Sequence, residues 1–219
     1  MKSRLSDSGY TMTELIIAIA VSTIIITVLS GITLSIYRSI QISRATAELS
    51  SESQLILHSI VDDTRLAGGL LSNNSISDSY APIGGWSTND PSNVLIINSP
   101  ATDSNANVIY NSETGSPYKN EIIYFGVNGK LSKRTLRNTN APNNITLTTC
   151  PSGTANCKSD KTYTSSLKDL SFTFYDENDQ TTSVAENARS VRLSVTLEKK
   201  TSGKFVTITN TLRTTLRNI

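Results

Sequence analysis

The sequence predicts an α+β fold: one very long N-terminal helix, with a membrane-spanning first half and an amphipathic second half, packed on an antiparallel β-sheet. Three observations predict it. Residues 15–37 carry no charge. An apolar stripe then continues at helical spacing as far as Ala67. From Asn120 onward, short Thr-rich segments alternate apolar and polar residues.

The first element is the helix. The run LIIAIAVSTIIITVLSGITLSIY spans 23 residues between Glu14 and Arg38. At about 1.5 Å per residue it reaches about 34 Å, enough to cross a hydrocarbon core. The basic leader with Lys2 and Arg4 favours a cytoplasmic N-terminus and an exported remainder. Beyond Arg38, Ile42, Ala45, Leu49, Ile56, Ile60 and Ala67 fall on one helical face. No proline precedes Pro82, and Gly68-Gly69 supplies the stop. A helix over residues 10–67 would be about 87 Å long. Gly31 is its weak point. Thr23, Thr27 and Ser30 share a face, where they can either bond a neighbouring helix or their own i−4 carbonyls.

The remaining elements are strands. Residues 70–120 are loop-rich, interrupted by a strand at Val94–Ile97 and a short apolar piece at Val108–Tyr110. Glu121–Val127 and Lys130–Arg137 flank Asn128-Gly129, a type I′ hairpin signal. Residues 140–161 read as a loop with a short strand near Ile145. Leu170–Tyr175, Ser190–Leu197 and Lys204–Leu212 follow as strands. Val191, Leu193, Val195 and Leu197 alternate with Arg192, Ser194, Thr196 and Glu198, which predicts one buried and one wet face.

Three readings fit the N-terminus. It could be a simple signal anchor, or a secretory signal cut after Val28-Leu29-Ser30. Glu14 at the edge of the apolar run, and a helical pattern that continues past Gly31, count against both. The third reading rests on Gly9-Tyr10-Thr11-Met12-Thr13-Glu14-Leu15-Ile16-Ile17-Ala18. This run resembles the class III signal of type IV pilins and pseudopilins: Gly, an aromatic, Thr, an apolar residue, a variable residue, Glu, then a long apolar run. Tyr10 stands where Phe is commoner.

The resemblance implies cleavage between Gly9 and Tyr10 by a prepilin peptidase and N-methylation of Tyr10. It also implies a subunit-assembly role for Glu14, whose carboxylate in lipid needs a partner such as the free amine of Tyr10. Otherwise Glu14 is a headgroup-boundary residue. The implied organisation is a leader (1–9), a transmembrane and filament-core helix half (10–38), an amphipathic half (39–69) and an exported loop-rich antiparallel β domain (70–219). Ile60–Gly68, with its Asp/Arg pair before Ala-Gly, looks like the helix end of PilW-type minor pilins. Asn93–Ile97, Glu121–Tyr124 and Leu212–Asn218 are loosely similar in the same order. The resemblance therefore implies a minor type IV pilin that helps initiate pilus assembly at or near the tip and serves motility, adhesion or DNA uptake. The alternatives are a J-type pseudopilin of type II secretion and a tip module that binds DNA or a surface. Implied partners are the prepilin peptidase, the major and other minor pilins, the inner-membrane assembly platform, and DNA or a surface. The implied location is the bacterial inner membrane in a single pass before assembly, and the filament or its tip afterwards.

Composition narrows the chemistry. Ser, Thr and Asn make up 79 of 219 residues, charged residues are 17%, and the net charge is +2, so a strongly basic nucleic-acid arm is excluded. One histidine, His58, and two cysteines exclude a histidine-cluster or cysteine-rich metal site. No phosphate-binding glycine loop occurs, since Gly68-Gly69 and Gly84-Gly85 lack the spacing and the lysine. No cofactor, metal site or catalytic constellation is expected, and the chain reads as a non-enzyme. In an exported domain Cys150 and Cys157 are expected to form a disulfide. Lys130, Lys133, Arg134 and Arg137 form a basic run that could contact nucleic-acid phosphates, or could be an ordinary solvated strand face.

Overall fold

The computed structural model describes residues 11–88 and 93–217. It has one long N-terminal helix, α1 (Met12–Arg65), followed by short and long strands: β1 (Leu70–Leu71), β2 (Val94–Pro100), β3 (Lys119–Val127), β4 (Lys130–Leu136), β5 (Thr149–Cys150), β6 (Lys158–Ser159), β7 (Lys161–Thr164), β8 (Leu167–Tyr175), β9 (Thr181–Thr182), β10 (Ser190–Thr201) and β11 (Lys204–Thr215). The chain divides into two compact units, Met1–Arg44 and Ala45–Ile219.

In the first unit every described residue up to Ile40 is exposed. This helix is long and apolar enough to cross a membrane. Its hydrogen bonds are satisfied internally, so only its side chains demand an apolar surrounding.

In the second unit the end of α1 buries Ala45, Leu49, Ser53, Ile56, Leu57, Ile60, Val61 and Thr64. Ala45, Leu49, Ile56 and Ile60 of the stripe read from the sequence are there, joined by Leu57, Val61 and two hydroxyl residues, Ser53 and Thr64. Thr64 is accommodated because its Oγ1 donates to the Ile60 carbonyl at 2.7 Å. The helix closes two residues early, at Arg65. Gly69 then takes φ +142°, and Gly68 and Gly69 exchange backbone hydrogen bonds with Asn98 of β2.

The strands form two main antiparallel sheets. One has the order β1-β2-β3-β4-β7, the other β11-β10-β8-β9, and β5 and β6 make a separate two-residue parallel pair. Asn128 and Gly129 both have positive φ (51° and 73°), the geometry of the expected type I′ hairpin. Ser202-Gly203 (51° and 78°) turns the β10–β11 hairpin, which runs through twelve paired residues without a shift. Val191, Leu193, Val195 and Leu197 are fully buried, as their alternation requires. The short apolar piece at Val108 and Tyr110 forms only isolated bridges. The loop read over residues 140–161 is corrected at two points. Ile145 lies in no strand, its amide bonding the Thr102 carbonyl instead. The short β5 and β6 lie inside that loop, and β7, which begins where it ends, extends the first sheet at its edge.

The first sheet is covered on both faces. Tyr124 and Lys133 face α1, while Ile96, Ile123 and Leu136 pack with Trp86 from the segment 72–88. That segment is held by polar contacts rather than by regular structure. The buried Glu121 carboxylate accepts the Ser75 amide (2.8 Å), the Ser75 hydroxyl (2.6 Å) and the Ile76 amide (3.2 Å).

Candidate functional site

The N-terminal site begins at Thr11. Thr11 is the N-cap of α1, and its amide and hydroxyl donate to the Glu14 carboxylate at 2.8 and 2.9 Å. The Glu14 amide in turn reaches Thr11 Oγ1 at 3.3 Å. This is a reciprocal capping box, Thr-x-x-Glu, which satisfies two helix-end donors. The signal was present in the sequence beside the resemblance that singled out Glu14. Gly9 and Tyr10 lie outside the described residues. Thr23 and Thr27 each donate to the carbonyl four residues back, at 2.8 Å, so their hydroxyls are used within the helix. Gly31 is helical like its neighbours.

The basic run does not make one face. Successive β4 residues point to opposite sides of the sheet. Lys133 faces α1 and pairs with Asp63 at 2.5 Å. Arg134 faces the segment 72–88 and is 1% exposed. Lys130 is exposed, and Arg137 is half-buried with a buried Nε that has no partner among the described residues. As a nucleic-acid contact Arg134 is therefore corrected: a buried, doubly paired guanidinium cannot reach a phosphate. Lys133 already has its carboxylate.

On the helix face, Asp63 Oδ2 accepts both Lys133 Nζ and the Tyr124 hydroxyl, each at 2.5 Å. Ser59 Oγ meets the Tyr163 hydroxyl at 2.6 Å and that of Tyr124 at 3.3 Å. Burial, and then the adjacent Asp63 carboxylate, push the Tyr124 phenol far above its ordinary pKa. Tyr124 is thus a fixed neutral donor. Ser59 has phenols as partners rather than a base, which is a docking lock between helix and sheet and not an activated nucleophile. His58, one residue away, is exposed.

On the loop face, Arg134 Nη1 donates to Asp78 (2.9 Å), Nη2 to Asp160 (2.5 Å) and Nε to Asp160 (3.1 Å). The guanidinium carbon lies 5.6 Å from the Tyr80 ring centre, 5.5 Å from that of Trp86 and 5.6 Å from that of Phe125. Trp86 Nε1 donates to Asp78 at 2.7 Å, and the Trp86 and Phe125 centroids are 4.7 Å apart. Burial raises the Asp78 pKa, but the bonds from Trp86, the Tyr80 amide and Arg134 outweigh it and hold the carboxyl below its ordinary value. Desolvation pulls Arg134 down, and its two carboxylates reverse that.

Cys150 and Cys157 form the expected disulfide, with Cα atoms 5.9 Å apart. The loop it closes positions Asp160, whose amide donates to the Cys150 carbonyl at 2.8 Å. Among the described residues no group of three or more metal-ligating side chains converges. Asp78, Trp86, Asp160, Ser59 and Tyr163 carry these clusters without any sequence motif to announce them. No protein-family model matches the chain, and no curated protein matches it.

Proposed function

We propose that the protein is a minor type IV pilin: a subunit held by its N-terminal helix in the inner membrane and then carried, helix included, into a filament. The observation that carries this reading is a helix that opens with the Thr11/Glu14 box and then exposes an uncharged, largely apolar surface. Such a surface needs lipid before assembly and other apolar helices after it. A disulfide-bearing β unit fits an exported compartment. In this reading the Thr11/Glu14 box occupies the carboxylate until cleavage after Gly9 frees an amine at Tyr10 that competes for it. Assembly then exchanges an internal cap for a charge pair.

The test is the intact mass of the full chain co-produced with a prepilin peptidase. The expected product starts at Tyr10 and carries one added methyl group, and substitution of Gly9 leaves the leader attached. A product starting at Gly31, or a leader retained by the unaltered chain, overturns the proposal. Glu14→Ala is expected to be cleaved normally but to be incorporated poorly into filaments.

A further inference from the structure

The loop-face cluster is the floor of a groove in the second unit. Its volume is about 490 Å³, and a second depression of about 220 Å³ adjoins it across Pro82, Trp86, Phe125 and Val127. The size is that of a small-ligand site. From these observations we infer that the groove binds a neutral saccharide, an inference that goes beyond the pilin reading and does not depend on it.

Charge excludes the charged ligand classes. An organic cation would seek an aromatic cage, but the cage of Tyr80, Trp86 and Phe125 already holds the guanidinium of Arg134. A polyanion would need free positive charge. Asp78 and Asp160 more than balance Arg134, and among the described lining residues only Lys130 remains at the rim. A neutral ligand meets no such objection.

The lining then selects among neutral ligands. Tyr80 is half exposed, and its ring offers a flat apolar face to the C–H face of a sugar, with Phe125 beside it. Around these rings stand Asn128, Ser132 and Thr162, uncharged amide and hydroxyl groups suited to sugar hydroxyls. Asp160 keeps acceptor capacity beyond its bonds to Arg134. The rings are also preorganised: Asp78 holds the Trp86 indole and Arg134 together, so binding need not order them.

Trp86 is the single tryptophan of the chain, so its fluorescence reports the groove directly. The full chain, in a zwitterionic detergent without a sugar headgroup, is titrated with neutral oligosaccharides of glucose, galactose, mannose and N-acetylglucosamine. At least one is expected to give a saturable change that is insensitive to added salt. Tyr80→Ala should weaken it about tenfold, the loss expected when a stacking ring is removed. Val127→Glu, at the exposed rim, should weaken it as well, and unchanged melting of either variant separates lost binding from lost folding. No saturation by any of these sugars overturns the inference, as does binding that ignores both substitutions. Saturation by single-stranded DNA or a neutral proline-rich peptide, but by no sugar, also overturns it.

Discussion

Lys133 and Arg134 are neighbours in one strand and carry the same charge, yet they end in opposite environments. Lys133 lies on the helix face, one-fifth exposed, sharing Asp63 with Tyr124. Arg134 lies on the loop face, fully buried between two carboxylates and three aromatic rings. The helix-face cluster joins two regular elements that also share an apolar interface, and its ions keep some contact with water. The loop-face cluster organises a segment with little regular structure, so its polar bonds replace the ladder that the segment lacks. The same charge is therefore an accessory on one face and a keystone on the other.

Substitution tests that contrast. Arg134→Ala leaves Asp78 and Asp160 buried without their cation, and a loss of about 3–5 kcal/mol is expected. Chemical denaturation should show it, and a loss below 1 kcal/mol would put the two faces on an equal footing. Reducing the disulfide, or Cys150→Ser with Cys157→Ser, should cost roughly 2–3 kcal/mol by freeing a short loop. It should also loosen Asp160, so the loss combined with Asp160→Asn should be less than additive. Tyr124→Phe removes one hydrogen bond but leaves Asp63 paired with Lys133, and should cost only about 1–2 kcal/mol.

The smallest effect is expected from pH, and it again separates the faces. The Asp78 pKa is lower in the folded than in the unfolded chain. Its contribution is therefore complete above the unfolded carboxylate value, about 3.9, and is lost as pH falls through the lower folded value. Thermal melts between pH 5 and pH 2 (roughly the window of such carboxylates) should decline less steeply in Asp78→Asn than in the unaltered chain. Parallel slopes would show that Asp78 does not carry the acid sensitivity.

The long elements were legible from residue pattern. The stripe from Ala45 to Ile60 and the alternation from Val191 to Leu197 report period directly, and both faces are buried where the pattern puts them. Asn128-Gly129 named its turn for a steric reason, because both positions need positive φ. The short strands were not legible. A two-residue strand such as β5 or β9 has no period to read, and β7 is defined by its pairing with β4. The basic run is not one surface, because a strand deals its residues alternately to two faces. The candidate site divided in the same way. Glu14 and the two cysteines stood in recognisable local contexts, while Asp78, Asp160 and Tyr163 are ordinary residues until distant segments bring them to Arg134 and Ser59.

By itself, the sequence determined the uncharged helix, its amphipathic continuation, the glycine stop and the wet-and-dry strands, because each follows from local sterics or from the period of a single element. Tertiary structure alone decided that the β region splits into two sheets, that the first is covered on both faces, and that Arg134 is buried while Lys133 stays near water. The physical reason is that burial of a charge depends on which partners arrive from elsewhere in the chain. Asp78 and Asp160 lie far from Arg134 in sequence, and no window as short as one helix or strand contains all three.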